Sequence, residues 1–132
     1  MDSIEKVYRL ADFHQLSLTD FVDSCLEIQN YCRLSSNEKC GITTNIKTHI
    51  VKNYSQAQKT FFYIDPSEYY SIYCKENVQF IWHSHPIGDA NPSPVDIEIS
   101  NEHQYNSIIF SKENKNFSLY RFDLPSVVYF SV

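Results

Sequence analysis

The stretch between residues 83 and 96 contains three side chains whose types and spacing fit a zinc site. His83 and His85 are separated by one residue, and side chains at positions i and i+2 of an extended chain point to the same side. Asp96 follows after a loop, in the predicted first turn of a helix, and its carboxylate can complete the set. Three protein ligands leave one coordination position for water. The spacing therefore predicts a catalytic zinc site rather than a closed structural one.

Hydrolysis at such a site needs a general base and a group that stabilises the developing negative charge. Zinc lowers the pKa of a bound water to about 7, and the base takes the proton and passes it to the leaving amine. Glu38 is the candidate base, because it precedes a predicted strand that can lie beside the histidine strand. The hydroxyl of Ser93 is the candidate for stabilising the oxyanion that forms when water attacks a carbonyl.

The same residues also have purely structural interpretations. Ser93-Pro94-Val95-Asp96 is a helix N-cap followed by proline at the first helical position, which is compatible with a catalytic role. Glu38 alone is typical of a solvated turn, and Cys40 is expected to pack as a small core residue. The remaining histidines are assigned to the surface or to ordinary hydrogen bonds: His14, His49 and His103. Three tyrosines are assigned to the core and to helix faces: Tyr69, Tyr70 and Tyr73.

Capping residues and apolar spacing predict the helices that position these side chains. Residues 4–14 form a short opening element. Ser17-Leu18-Thr19-Asp20 resembles a capping box, and the apolar residues behind it recur at helical spacing, which predicts an amphipathic helix over 18–33. Asp65 and Pro66 predict a helix that runs to about residue 74. Ser93 and Pro94 begin another, which ends near residue 104.

Alternating and continuous apolar runs predict the strands. They are expected at residues 40–46, 49–54, 59–64, 78–83, 107–111, 117–122 and 126–132, with a loop at 86–92. The strand over 78–83 ends in the histidines. This order predicts an α/β (α+β) fold with a single mixed β-sheet flanked by helices, in one domain that spans residues 1–132.

The composition is that of a globular and acidic chain. Of the 132 residues, 42% are hydrophobic and 15% aromatic, which is enough for a hydrophobic core. The formal charge of −5 without a Lys/Arg cluster argues against nucleic acid or a membrane as the main partner. No apolar run is long enough for a membrane span, and residues 1–5 lack the features of a signal peptide. We therefore expect a cytoplasmic protein whose four cysteines are reduced.

The candidate residues resemble the signature of the JAMM metalloprotease family, also called the MPN or JAB domain. That signature is a Glu on an early strand, then His-Ser/Thr-His-Pro, then Ser-x-x-Asp. It matches Glu38, His83-Ser84-His85-Pro86 and Ser93-Pro94-Val95-Asp96, and the resemblance covers roughly residues 18–122. It implies the JAMM/MPN fold, which resembles the cytidine-deaminase-like architecture. It also implies zinc on His83, His85 and Asp96, with Glu38 as the general acid/base and Ser93 as the oxyanion stabiliser.

Small bacterial and phage members are the part of the family that the chain resembles most. Glu38-Lys39-Cys40-Gly41-Ile42 is similar to their Glu-x-Cys-Gly-aliphatic stretch, and Asp65-Pro66-x-x-Tyr69 resembles the small bacterial members and phage tail-assembly proteins. Thr43-Thr44-Asn45 departs from the usual glycine-rich continuation. The long insertions with which eukaryotic deubiquitinases grip ubiquitin are missing.

The resemblance implies a zinc-dependent, deubiquitinase-like hydrolase of peptide or isopeptide bonds. The expected partner is a protein or peptide substrate, such as the C-terminal tail of a ubiquitin-like or sulfur-carrier protein, or a phage tail or other assembly component. The expected location is accordingly cytoplasmic or virion-associated.

Two other functions stay open as alternatives. A non-catalytic MPN-type assembly or interaction module could keep the metal for structure, and it would have no need of Glu38 as a base. A nucleobase deaminase uses related zinc chemistry, but its His-x-Glu and Pro-Cys-x-x-Cys elements are missing.

Overall fold

One six-stranded mixed sheet forms the centre of the molecule in the computed structural model, which describes residues 1–132. The strands are β1 (Cys40–Thr44), β2 (Thr48–Val51), β3 (Val78–His85), β4 (Ser107–Ser111), β5 (Asn116–Arg121) and β6 (Ser126–Phe130). Their order is β2-β1-β3-β4-β5-β6, with β3 and β4 parallel and every other pair antiparallel. The helices are α1 (Ile4–Ala11), α2 (Leu18–Cys32), α3 (Pro66–Tyr73) and α4 (Pro94–His103). The predicted fold class, a single mixed sheet flanked by helices, is confirmed.

Helices α1 and α2 cover one face of the sheet. Ser3 and Ser17 cap them by accepting backbone N–H bonds, and the apolar stripe of α2 then faces the sheet as its spacing predicts. The main core forms here, where the helices meet the apolar side chains of β3 to β6: Val7, Ala11, Phe21, Cys25, Ile28, Cys32, Phe80, Trp82, Ile108, Phe110, Phe117, Leu119 and Phe130. This face supplies most of the apolar burial that stabilises the fold.

Gly41 in β1 allows a close approach between the sheet and the indole of Trp82. A Cβ atom at this position would overlap with the Trp82 ring and with the carbonyl oxygen of His49. Trp82 is fully buried and pairs with Gly41 across the β1–β3 ladder. A side chain at position 41 would displace this large core residue, which lies directly before His83.

The opposite face of the sheet carries α3, α4 and the segment between β2 and α3. Its core is smaller, with Cys40, Ile42, Val51 and Ile81 buried under partly exposed side chains of that segment and of α3. Asp65 caps α3, and Pro66 occupies its first turn, as the sequence predicts. Less apolar packing on this face leaves room for a site.

The strand predicted over residues 59–64 is not present. Residues 58–60 form a turn, and 61–64 have an irregular conformation with one backbone hydrogen bond to Tyr54. The side chain of Asn53 supplies two more bonds, because it donates to the Phe61 carbonyl and accepts from the Tyr63 N–H. A side chain thus takes the place of a neighbouring strand, although the aromatic alternation of this segment is typical of a strand.

Several predicted boundaries also differ from the structure. β3 extends through His85 rather than ending at His83, because it pairs with β4 as far as Ser111. β1 ends at Thr44 rather than at residue 46, where the Thr44 hydroxyl accepts the N–H groups of a tight turn. β2 covers Thr48–Val51 rather than 49–54. Of the tyrosines assigned to the core and to helix faces, Tyr70 and Tyr73 lie on the outer face of α3, where they are 65% and 58% exposed.

No helix combines the length and apolar character that a membrane crossing requires.

Candidate metal centre

The end of β3 and the start of α4 bring the predicted metal ligands together. His83 and His85 project to the same side of β3, and Asp96 lies in the first turn of α4. One carboxylate oxygen, Asp96 Oδ2, lies 3.3 Å from His83 Nε2 and 3.3 Å from His85 Nε2. The structure therefore gathers the three residues at one point.

The position of Asp96 follows from the helix cap that the sequence predicts. The backbone N–H of Asp96 donates to Ser93 Oγ at 3.1 Å, and the backbone N–H of Ser93 donates to Asp96 Oδ2 at 2.9 Å. Pro94 fills the first helical position, where no N–H is needed. This reciprocal capping box holds the carboxylate toward the histidines, so Asp96 has a structural role and faces the site at once.

His83 has two ring nitrogens without a hydrogen-bond partner, although its side chain is fully buried. Its Nε2 is close to Asp96, but the N–H and the carboxylate are not aligned as a hydrogen bond. The ring stacks on Phe62, with centroids 4.3 Å apart and planes 21° apart. A buried polar atom without a partner is unfavourable, and a metal ion on one nitrogen would remove part of that cost. The imidazole and carboxylate groups are donors that zinc prefers, and the buried nitrogen of His83 has room for such a partner. The residues present therefore fit a zinc ion.

His85 is oriented by a backbone carbonyl. Its Nδ1–H donates to the Asp89 oxygen at 2.8 Å, which leaves Nε2 facing Asp96. Burial lowers the pKa of His85, but the hydrogen bonds to Asp96 and to the Asp89 carbonyl outweigh burial and raise it. A carbonyl on the outer ring nitrogen is the usual support for a metal-binding imidazole.

The loop between the histidines and α4 is fixed by hydrogen bonds to the β4–β5 hairpin. Ser111 Oγ donates to the Gly88 carbonyl at 2.7 Å, and the Gly88 N–H donates to a carboxylate oxygen of Glu113 at 2.5 Å. Buried Ser118 donates to the Ala90 carbonyl at 2.5 Å. Gly88 has a φ of 87°, a conformation that favours glycine. These bonds set the distance between His85 and Asp96.

Glu38 lies beside the two histidines. One ligand atom from each of Glu38, His83 and His85 lies within 4.8 Å of the other two. The residue is only 5% exposed, which corrects its alternative interpretation as a solvated turn residue. Burial raises the pKa of Glu38, and the nearby His83 and His85 oppose that rise in part. A carboxyl group with a raised pKa accepts a proton more readily at neutral pH and can then donate it.

Backbone pairing between β1 and β3 sets the position of Glu38. The N–H of Lys39 donates to Ser84 Oγ at 2.9 Å, and the N–H of Ser84 donates to the Lys39 carbonyl at 2.9 Å. Asn53 Nδ2 donates to the Glu38 carbonyl at 2.9 Å. The motif predicts Ser84, but Asn53 and Phe62 are site residues that the sequence analysis missed. No local signal marks Asn53, whose bonds depend on the fold.

The electrostatic environment keeps Asp96 ionised. Burial pushes the pKa of Asp96 upward, but the facing His83 and His85 imidazoles and the Ser93 N–H outweigh it and hold that pKa well below its usual range. An ionised carboxylate is the form that binds a metal cation.

Ser93 and Cys40 have different roles beside this centre. The Ser93 hydroxyl accepts the N–H of Asp96, and its own proton can still donate to a substrate oxygen. Cys40 is fully buried, and burial raises the pKa of its thiol to about 12. The thiol is therefore protonated at neutral pH, as expected of a core residue and not of a nucleophile.

Comparison with known proteins extends to the fold alone. No protein-family model matches the chain, and no curated protein matches it. Among solved structures, it is similar to the solution structure of protein DSY2949 from Desulfitobacterium hafniense, with a TM-score of 0.59 and 18% sequence identity over 88% of each chain. At this identity, the likeness shows that the two chains share a fold.

Proposed function

We propose that this chain is a zinc-dependent metallopeptidase of the JAMM type, which hydrolyses a peptide or isopeptide bond. One observation carries the proposal. Asp96 Oδ2 lies 3.3 Å from both His83 Nε2 and His85 Nε2, and the buried Glu38 lies next to the same imidazoles. Amide hydrolysis requires a general base beside the metal, and the buried Glu38 is placed to serve as one.

His83, His85 and Asp96 would hold the zinc ion. When bound, zinc supplies a Lewis acid that lowers the pKa of water at its open position to about 7. Glu38 accepts a proton from the attacking water and delivers it to the nitrogen of the leaving amine. The Ser93 hydroxyl donates to the carbonyl oxygen of the substrate as negative charge develops on it.

The pKa of Glu38 suits this double transfer. An ordinary solvated carboxylate is a weak base at neutral pH and is nearly always ionised. In the metal-free protein, burial raises the pKa of Glu38 and so favours uptake of a proton by its carboxylate. Its hydrogen-bonded backbone keeps the group facing the histidines.

The proposed substrate is the C-terminal tail of a ubiquitin-like or sulfur-carrier protein, or a component of phage tail assembly. The matching location is the cytoplasm or the virion. This part of the proposal rests on the resemblance of Glu38-Lys39-Cys40-Gly41-Ile42 and Asp65-Pro66-x-x-Tyr69 to the small bacterial and phage members of the family.

Metal analysis and peptide cleavage test the proposal together. The protein loaded with zinc and then dialysed is expected to retain one zinc ion per chain, and His85→Ala is expected to retain none. The loaded wild-type protein should cleave members of a mixed peptide library, with the products identified by mass spectrometry. Zinc bound equally by His85→Ala would contradict the proposed ligands. Stoichiometric zinc without cleavage of peptides or tailed carrier proteins would favour the non-catalytic assembly module.

A further inference from the structure

Every hydrogen-bonding position of the Asn53 carboxamide is occupied. The amide nitrogen donates to the Glu38 carbonyl at 2.9 Å and to the Phe61 carbonyl at 3.0 Å. The amide oxygen accepts the N–H of Ser55 at 2.9 Å and the N–H of Tyr63 at 3.0 Å. Two donors and two acceptor sites are the full capacity of this group. Because two carbonyl groups face the nitrogen and two N–H groups face the oxygen, the partners also determine the orientation of the amide.

Asn53 lies just beyond the end of the β1–β2 ladder, beside the candidate base. Cys40 of β1 pairs with Val51 of β2, and the continuation of this antiparallel register places Asn53 opposite Glu38. The backbone ladder stops before this point, and the Asn53 side chain supplies the next bond between the two segments. The residue is only 8% exposed, so solvent has little access to these bonds.

The loop over residues 53–63 makes a second connection to Glu38. Gln58 Nε2 donates to the Asn53 carbonyl at 3.0 Å, and the Glu38 N–H donates to the Gln58 carbonyl at 2.6 Å. The Tyr54 N–H donates to the Tyr63 carbonyl at 2.9 Å and closes the base of the loop. Both backbone groups of Glu38 are therefore bonded to this loop, and the Asn53 side chain also bonds to its far end.

The same loop contacts the proposed metal ligand His83. Phe62 lies between the two loop residues that bond to the Asn53 amide, and its ring stacks on the His83 imidazole with centroids 4.3 Å apart. The ring nitrogens of His83 have no hydrogen-bond partner in the protein. Packing against Phe62 therefore orients this ring, whereas a carbonyl group orients the imidazole of His85.

We propose that Asn53 is a positioning residue, which holds the Glu38 carboxylate and the His83 imidazole in one fixed arrangement. The catalytic part of this inference rests on the proposed function. All four partners of the Asn53 amide are backbone groups, so the residue acts through Glu38 and Phe62. A misplacement of about 1 Å can lower a reaction rate by about 10²-fold, and proton transfer by Glu38 needs such a fixed position.

Asn53→Asp is the sharpest variant, because it keeps the size and the two acceptor contacts and places an oxygen against two carbonyl groups. Asn45→Asp is the matched control at the other end of β1, where the amide donates to Gln15 Oε1 at 3.3 Å and accepts the Asn77 N–H at 2.9 Å. Both variants should lose stability. At full zinc occupancy only Asn53→Asp should lower kcat, by about tenfold or more, with KM unchanged.

Nuclear magnetic resonance of the metal-free protein tests the arrangement without catalysis. The ring current of Phe62 should shift the carbon-bound ring protons of His83 upfield, and Phe62→Leu supplies the reference without this shift. Asn53→Asp should move these resonances toward that reference, and Asn45→Asp should not. Asn53→Ser, which is neutral and keeps one hydroxyl, should act in the same direction as Asn53→Asp. In the wild type, the amide protons of Asn53 should exchange with solvent more slowly than those of Asn45.

The outcomes separate this inference from the proposed function. Unchanged His83 resonances in a folded Asn53 variant, or amide protons of Asn53 that exchange as fast as those of Asn45, would overturn the positioning role. Wild-type kcat in zinc-loaded Asn53→Asp, or an equal fall of kcat in Asn45→Asp, would also overturn it and leave the metallopeptidase in place. Shifted His83 resonances and slow amide exchange without peptide cleavage by the wild type would support the arrangement and contradict the metallopeptidase.

Discussion

At the scale of single residues, Asp96 combines two functions that are usually separate. Its backbone and carboxylate complete a capping box with Ser93, and the same carboxylate oxygen faces His83 and His85. His83 differs from Asp96, because its buried ring nitrogens have no hydrogen-bond partner within the protein. Asp96 stabilises the fold while it faces the site, and the buried nitrogens of His83 have a cost that a bound metal would remove in part.

Replacing Asp96 by Asn separates its two roles. The amide oxygen can still accept the Ser93 N–H, so α4 should form, but the neutral group is a much poorer zinc ligand. We expect zinc affinity to fall by at least about tenfold, measured by competition with a coloured chelator. Asp89→Asn is the matched control, because that side chain accepts the Asn91 N–H within the same loop. Unchanged zinc affinity in Asp96→Asn would remove Asp96 from the ligand set.

His83→Phe tests whether this imidazole is retained for the metal rather than for the fold. Phenylalanine has a similar shape and removes two buried nitrogens that lack partners. The stability of the metal-free variant, measured by urea unfolding, should lie within about 1 kcal/mol of the wild type, because relief of the unpartnered nitrogens offsets the lost attraction between the imidazole and Asp96. Zinc should stabilise the wild type and have no effect on the variant. A large loss of stability in the metal-free variant would show that the imidazole serves the fold.

At the scale of elements, local signals predict the helices better than the strands. The beginning of α4 can be predicted from the sequence, because its capping signals lie within four consecutive residues. They are Ser93, Pro94 and Asp96. The end of β3 depends on pairing between His85 and Ser111, which are far apart in the chain. Residues 59–64 have the alternation of a strand, but a side chain, Asn53, takes the place of a neighbouring strand. The end of β3 and the absence of this strand depend on tertiary contacts.

Glu76 joins the β1–β2 hairpin to the start of β3. The Thr44 hydroxyl donates to its carboxylate at 2.5 Å, and His49 Nε2 lies 2.8 Å from the same oxygen. The hydrogen bonds from Thr44 and His49 lower the pKa of Glu76. A lowered carboxyl pKa contributes stability above the ordinary carboxyl pKa, and this contribution is lost as pH falls through the lowered pKa.

Glu76→Gln should therefore reduce the free energy of unfolding at pH 7 and flatten its decline toward acid pH. Urea unfolding between pH 7 and pH 3 measures both effects. Glu27→Gln on α2, whose side chain makes no hydrogen bond, should follow the wild-type pH profile. Parallel pH profiles for the wild type and Glu76→Gln would contradict the assigned role of this carboxylate.

At the scale of the whole molecule, the two faces of the sheet serve different purposes. The face under α1 and α2 has a core of 14 buried residues, against four on the opposite face. The sparser face carries the candidate metal centre and an apolar cavity of about 400 Å³. The His-x-His and Ser-x-x-Asp motifs predict the ligands, because each group lies close together in the chain. The cavity could not be predicted in this way, because residues 62–64, α3, β3 and α4 all contribute to it.

The most direct test of the central claim is the cleavage rate of Glu38→Gln with its zinc content measured on the same sample. Glutamine keeps the size of the side chain and removes the base, and Glu38 is not among the proposed zinc ligands. Zinc content and thermal stability should match the wild type, and the rate should fall by about 10²–10⁴-fold. A variant that holds zinc and cleaves the same peptides at the wild-type rate would contradict Glu38 as the general base and the proposed mechanism with it.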